Sequence, residues 1–380
     1  MKQDHNQKAF FELLKVGLWV DAESADIRRR DFAESVDWNT VYQLASEQSV
    51  VGVVLAGLEH SDVKPPQEFL LQWIGEVMVI EQQNKSMNEF VAKLIERLRQ
   101  ESICSLLIKG QGIAQCYEHP LWRTSGDVDL LLSEDNYQRA IEYLSPLVSD
   151  VKKEYQYKKH QAMTIESWVV ELHGSLRGGL SSQIDGVLDE VQKDVFCNGN
   201  VRSWMNGRSQ ILLPGVDCDV VFVFSHLLKH FYKEGLGLRQ VCDWCRLLWT
   251  YRDKLDVALL ERRLREMSLL SEWKVFAAFA VKYLGMPVEA MPLFNENDNK
   301  AHDLHRKAEM IKDFVLEVGN MGHNRDMSYF EKYPYHIRKM YSMGRRCADM
   351  IRHARIFPLD SMRFFPRIMI NGLRSAARGE

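Results

Sequence analysis

The stretch Gly126-Asp127-Val128-Asp129-Leu130-Leu131-Leu132 decides how this chain is read. Its apolar run, bounded by a glycine, predicts a buried strand, and side chains two apart on a strand point to one face. Asp127 and Asp129 therefore project side by side, with Gly126 leaving the approach to them open. Carboxylates so placed repel each other and are costly to bury. A divalent cation removes both costs, and hard oxygen donors suit Mg²⁺ or Mn²⁺. The plain alternative is a strand edge carrying two solvated aspartates, because the triplet alone is common.

The flanking sequence favours the metal. Upstream, Ser105-Leu106-Leu107-Ile108 predicts a second buried strand that ends at Lys109-Gly110 and leads into a helix over 112–117. A strand end, a helix N-terminus and an ammonium together suit a phosphate. The loop His119-Pro120-Leu121-Trp122-Arg123-Thr124-Ser125 carries Arg123, whose guanidinium binds phosphate as a fork. Downstream, Val169-Val170-Glu171-Leu172-His173 places Glu171 on an otherwise apolar strand, where a carboxylate needs a reason. His160 and His173 fall beside it on predicted strands over 160–165 and 168–173. A histidine on a half-buried strand is ordinarily a hydrogen-bonded structural residue, and only proximity to Glu171 makes these two site candidates.

Further out, the period becomes helical. From Gln67 to Gln100 apolar residues recur at Leu70, Ile74, Val77, Met87, Val91, Leu94 and Leu98, a stripe roughly 50 Å long. Its polar middle, Gln82-Gln83-Asn84-Lys85, reads as solvated. Within the centre, a helix is expected over 134–144 with Ser133 as its N-cap, a strand over 151–158 and a short strand at 211–213. After Pro214, helices are expected over 216–232, 238–251, 257–267, 272–284 and 300–318, with more in the basic C-terminus. The expected architecture is α+β, with a mixed-sheet core over 103–214 between helical regions at 1–102 and 215–380.

Composition excludes several classes. The 380 residues are 46% hydrophobic and 27% charged, ordinary for a globular chain and unlike a disordered, collagen-like or disulfide-knot protein. The longest run free of polar side chains is 50–58, far short of the roughly 18 residues a bilayer span needs. The N-terminus lacks an apolar signal core, so a cytoplasmic protein is expected, with its seven cysteines reduced. Cys242 and Cys245 form a lone Cys-x-x-Cys, better read as buried helical thiols than as half of a zinc site. His226 and His230 have zinc-ligand spacing without the glutamate of a metalloprotease helix. Arg239 and Asp243, four apart on a helix, can pair or contact a substrate. The net charge of −3 hides an asymmetry: residues 331–380 hold 11 Lys and Arg against 4 Asp and Glu. That segment is either a basic helix pair docked on an acidic body, favoured by Phe357, Phe364, Phe365 and Ile368, or a patch for phosphates, nucleic acid or anionic lipid.

The motifs together resemble the nucleotidyltransferase fold of the DNA polymerase β superfamily. More closely, they are similar to a large bacterial group of uncharacterised nucleotidyltransferase-family proteins often associated with polysaccharide gene regions. The residues that carry the resemblance are Lys109-Gly110, Arg123, Gly126-Asp127-Val128-Asp129-Leu130, His160 and Glu171-Leu172-His173, with a weaker likeness in Gly237-Leu238-Arg239-Gln240 through Asp243-Trp244. It covers roughly residues 85 to 250. One departure is the segment after Lys109: the superfamily usually has Gly-Ser or Gly-Gly closer to the first Asp, whereas here Gln111 follows Gly110, leaving Gly112 as an alternative backbone-approach glycine. The resemblance implies that Asp127, Asp129 and Glu171 hold two Mg²⁺ (or Mn²⁺) ions and act as the catalytic carboxylates. It also implies a nucleoside triphosphate donor, with Lys109, Gly110, Arg123, Gly126, His160 and His173 as candidate nucleotide-binding residues. Pyrophosphate would leave, and the acceptor would be a small molecule or sugar in preference to a protein or RNA.

Two rivals differ in class. A glycosyltransferase using Asp-x-Asp normally places a nucleotide-binding βαβ region before the triplet, and here that stretch is helical. A non-catalytic nucleotide-binding or scaffold protein would not need all three carboxylates, yet their presence alone does not prove turnover.

Overall fold

The computed structural model describes residues 2–19, 36–151, 159–297, 301–320 and 333–377. At its centre the strands β1 (Ser105–Ile108), β2 (Asp127–Leu132), β3 (Val148–Val151), β4 (His160–Ile165) and β5 (Trp168–His173) form one sheet in the order β1-β2-β5-β4-β3. Only β2 and β5 run parallel; the other neighbours are antiparallel. The sheet is therefore mixed, as an α+β core requires. Val128, Leu130, Leu132, Val170 and Leu172 point to one face and pack there with Leu94, Leu98 and Leu144. The alternation that buries them sends Asp127, Asp129, Glu171 and His173 to the opposite face. The strand expected over 151–158 lies, beyond Val151, outside the described residues.

Three helices surround the N-terminal side: α1 (Lys2–Leu18), α2 (Trp38–Glu47) and α3 (Val51–Glu59). Gly17 and Gly57 let α1 and α3 touch backbone to backbone. A Cβ on Gly17 would sit 1.9 Å from the Val53 carbonyl oxygen, and one on Gly57 would sit 2.0 Å from that of Leu13. The helix α4 (Gln67–Gln100) matches its expected span, but its polar middle is not uniformly solvated. Asn84 is buried, and its amide donates to the Leu121 and Arg123 carbonyls at 2.7 and 2.8 Å while its oxygen accepts from Gln111 at 3.0 Å. A polar side chain on the sheet-facing side of α4 thus holds the loop that enters β2.

After β1 comes the short helix α5 (Gly110–Ala114), and α6 (Glu134–Leu144) follows β2 behind Ser133. The sequence does not predict α7 (Ser182–Cys197), β6 (Val201–Asn206), which pairs with β7 (Ser209–Pro214) as a separate hairpin, or β3, which shares only Val151 with the strand expected over 151–158. The remaining helices are α8 (Val216–Lys233), α9 (Leu238–Thr250), α10 (Val257–Met267), α11 (Leu270–Leu284), α12 (Ala301–Val318), α13 (Tyr335–Ile356) and α14 (Pro358–Ala377). Residues of α1–α4 and of α8–α14 share one hydrophobic core, which includes Phe10, Trp73, Trp244, Trp273 and Phe364. Cys242 and Cys245 are fully buried in it, and burial pushes both thiols above their ordinary pKa. Among the described residues, no helix is long and apolar enough to cross a membrane.

Candidate active site

The sheet register assembles the site. Asp129 lies directly opposite Glu171 across the parallel β2–β5 pair, and His160 opposite His173 across β4–β5. Asp127 is two residues along β2 on the same face. One carboxylate oxygen from each of Asp127, Asp129 and Glu171 lies within 4.8 Å of the others. Neither β5 nor the pairing of its partners is needed to see Asp127 and Asp129 as neighbours, but only the register brings in Glu171.

The carboxylates are heavily countered. The Lys109 ammonium lies 2.7 Å from Asp129 Oδ1, and His173 Nε2 is 2.7 Å from the same oxygen. His160 Nε2 lies 2.9 Å from Glu171 Oε2, and His173 Nε2 is 3.6 Å from it. Burial opposes the charge on Asp129 and on Glu171, but Lys109 and His173 on the one, and the two imidazoles on the other, hold both below the ordinary carboxylate range. Among the described residues, Asp127 has no such partner. The Asp129 charge first, and burial second, push its pKa up. Burial likewise lowers the pKa of His160, against the pull of Glu171, so the ring favours its neutral form.

Lys109 is also strained. Its φ of +57° with ψ of −144° is a region occupied almost only by glycine, worth about 1–3 kcal/mol. Gly110 follows at φ +38°, and together they turn the chain from β1 into α5 over the carboxylates. Gly112, by contrast, faces away: a Cβ there would meet a Leu213 methyl at 2.8 Å. Its smallness serves packing against β7. Among the described residues, nothing lies within 4 Å of a Cβ built on Gly126, so the entry to β2 is open there, as the sequence suggests.

Arg123 reaches the same cleft but is engaged. Its Nε and Nη2 donate to the two carboxylate oxygens of Asp243 at 2.9 and 2.6 Å, and Tyr117 donates to the same group at 2.8 Å. All three are buried. Arg123 Nη1 also donates to Ser125 Oγ at 2.8 Å, which fixes the three residues before Asp127. Asp243 therefore pairs with Arg123 and not with Arg239, its helical neighbour. Arg239 instead donates to the Thr124 carbonyl at 2.8 Å, and its buried Nε has no partner among the described residues. Burial, and then the Arg123 charge, lower its pKa.

A cavity of about 640 Å³ opens in front of the carboxylates, lined by Lys109, Gly110, Arg123, Gly126, Asp127, Asp129, His160 and Glu171 from the core. Its other walls include Arg239 and Asp243, which the sequence offers as a pair or as substrate contacts, together with residues to which it assigns no role at this site. Lys229, Lys233 and Glu234 line it from α8 and the turn that follows, beside His226 and His230, whose Nε2 atoms lie 2.9 Å apart. From α13 and α14 come Arg346, Asn371 and Gly372. One signal was available: His226, Lys229, His230 and Lys233 recur at helical spacing along one face of a largely apolar helix. Arg346 falls in the basic segment 331–380, which the sequence offers as a phosphate patch; for Asn371 there was no signal, because nothing local ties the C-terminus to this cleft.

Sheet and site together define a nucleotidyltransferase-like fold with its acidic face turned into a cavity. The model of the uncharacterised nucleotidyltransferase family matches residues 34–285, and the chain belongs to that family. Neither a curated protein nor a solved structure gives a significant match to it. The matched segment holds every carboxylate and histidine of the site but ends before α12–α14.

Proposed function

We propose that this protein transfers a nucleotidyl group from a nucleoside triphosphate to an acceptor hydroxyl, with divalent cations, Mg²⁺ or Mn²⁺, held by Asp127, Asp129 and Glu171. The observation that carries the reading is the meeting of those three carboxylates, within 4.8 Å, on the wall of a cavity. The donor set fits such an ion: it is all oxygen, and the raised pKa of Asp127 reports negative charge that the protein alone leaves incompletely countered. When bound, the cation neutralises the phosphates and acidifies the acceptor hydroxyl.

The protein's own groups orient the reaction. The acceptor hydroxyl releases its proton to solvent as its oxygen bonds to the α-phosphorus, the bond from that phosphorus to the bridging oxygen breaks, and pyrophosphate leaves. Lys109, kept charged by the three carboxylates despite burial, and the turn at Gly110 flank that centre. Arg123 serves from behind, fixing the loop through Asp243, while Arg239 and Arg346 are the side chains we assign to the phosphate chain. His160 and His173 hold Glu171 and Asp129 in place and ionised. Most of the acceleration then comes from positioning and charge complementarity. A cavity of about 640 Å³ is in the range of small-molecule sites, which favours a sugar or other small acceptor over a protein or RNA.

The test is thermal stability with each of the four nucleoside triphosphates, with and without Mg²⁺ or Mn²⁺, in the wild type and in Asp127→Asn/Asp129→Asn. Ligand at 100 times its dissociation constant stabilises by about 2.7 kcal/mol. A metal-dependent shift absent from the variant is expected. No shift with any nucleotide, from well-folded protein, would overturn the reading.

A further inference from the structure

The α13–α14 pair has two unlike faces. Its inner face is fastened to the body: His353, Phe357, Phe364 and Ile368 are buried, Arg367 pairs with Asp185 at 2.7 Å, and Arg363 donates to Ser181 at 3.2 Å. The same face supplies Arg346, Asn371 and Gly372 to the cavity. The outer face is apolar and uncovered among the described residues. On α13, Ile337, Met340, Tyr341 and Ile351 are exposed, Met340 by 72%; on α14, Leu359, Met362, Ile370 and Leu373 are exposed, Leu359 by 79%. Their spacings, 337-340-341-351 and 359-362-370-373, each fall on one side of a helix at 100° per residue. They are not scattered singly, as ordinary exposed apolar residues are.

Charge says what covers them. Residues 335–377 hold nine Lys and Arg against two Asp and Glu, and Arg338, Arg355 and Arg374 are exposed beside the stripes. A second copy of the pair would bring like charge against like charge. A nucleic acid would use the arginines but leave the apolar rows in water. A helix with an apolar stripe, flanking arginines and too little apolar length to span is suited to lie in the plane of a lipid surface, and basic residues select an anionic one.

We propose that the outer face of α13–α14 docks on an anionic lipid bilayer, its apolar rows among the acyl chains and its arginines at the headgroups. The pair is then a two-sided element, membrane contact on one side and cavity wall on the other. It lies beyond the family match that ends at residue 285, and the proposal does not depend on the reaction assigned to the site.

The experiment is co-sedimentation of the full chain with vesicles of phosphatidylcholine, with and without phosphatidylglycerol, at low and high salt. Binding to the phosphatidylglycerol vesicles, weakened by salt and lost in Leu359→Glu/Met362→Glu/Leu373→Glu, is expected. Each basic side chain lost should weaken it by about fivefold, so Arg355→Gln/Arg374→Gln is a second variant that leaves the apolar rows intact. Thermal melting checks that both variants are folded. Absence of binding at low salt would overturn the proposal, as would binding unaffected by either variant. A dimer by light scattering that the glutamate variant splits, with no vesicle binding, would assign the face to a second copy instead.

Discussion

Removing Asp243 tests whether Arg123 is a structural or a substrate-facing cation. In Asp243→Ala the buried Arg123 guanidinium loses both carboxylate oxygens, at 2.9 and 2.6 Å, and the buried Tyr117 hydroxyl loses its acceptor at 2.8 Å. Breaking a buried pair from one side costs about 3–5 kcal/mol, because the other charge stays behind. An orphaned hydroxyl alone costs about 1–3 kcal/mol; the two overlap, so about 4 kcal/mol is expected for the whole substitution. Replacing the pair by apolar groups removes the stranded charge, so Arg123→Met/Asp243→Leu should recover most of the loss, leaving mainly the Tyr117 orphan. Urea unfolding followed by tryptophan fluorescence, read as a double-mutant cycle, measures both. A cost below about 1 kcal/mol for the single substitution would refute the reasoning, as would a double variant no better than the single. A second readout separates the roles. If Arg123 were the phosphate fork, freeing it from Asp243 would tighten triphosphate binding; as an anchor for Thr124 and Ser125 it should weaken binding with Asp127.

Three other outcomes are expected. Divalent-ion binding, followed by isothermal titration with Mn²⁺, should weaken on acidification starting above the ordinary carboxylate range, because Asp129 and burial raise the Asp127 pKa; Asp127→Asn should remove that pH dependence along with most of the affinity. Glu272 is wholly buried against Tyr232 and Ser271, and burial, helped by Asp360, raises its pKa to about 8. The folded state then holds a proton that the unfolded chain has released above about 4.5, so this group's contribution to stability falls as pH rises from about 4.5 to 8. Glu272→Gln should therefore raise the melting temperature more at pH 8 than at pH 5. Asn84→Ala strands the Leu121 and Arg123 carbonyls and leaves the Gln111 amide only the Met87 sulfur, and a loss of about 2–4 kcal/mol in urea unfolding is expected.

Local period carried much of the fold in the sequence. The helix Gln67–Gln100 and the strands at 105–108, 127–132, 160–165 and 168–173 fall where apolar spacing puts them, because each buries a face of its own. Other parts depend on partners distant in sequence. Asn84 reads as solvated until the loop at 121–123 is laid against α4, and Asp243 reads as a partner for Arg239 until the fold brings in Arg123 from 120 residues away. The helix Ser182–Cys197 is a different case: Ile184, Val187, Leu188, Val191 and Val195 carry a helical stripe that was legible in the chain. At the site, the Asp127–Asp129 pair follows from strand alternation alone. Bringing Glu171 beside Asp129 requires the parallel register of β2 and β5, which no local pattern encodes.

These two sources of information divide the protein's chemistry. The carboxylates and the imidazoles that position them all stand on adjacent strands, where register fixes their spacing to within a fraction of a side chain. The cations opposite them stand on α8, α9 and α13, helices that are placed by contacts with other helices and not by strand register. On the proposed reading, a sheet holding the ion and helices meeting the rest of the ligand would let the reaction centre stay fixed while the ligand changes. The strain at Lys109 lies at the junction: its backbone is bent where β1 hands over to α5, and its ammonium reaches Asp129 from that bend. Such strain persists only where surrounding contacts over-determine the conformation. Here they include the β1–β2 pairing of Ile108 with Asp129 and the packing of Gly112 on Leu213. An ion at Asp127 and Asp129 would compete with the ammonium for one of these carboxylates, so Lys109 is the residue of the site whose position should depend most on whether metal is bound.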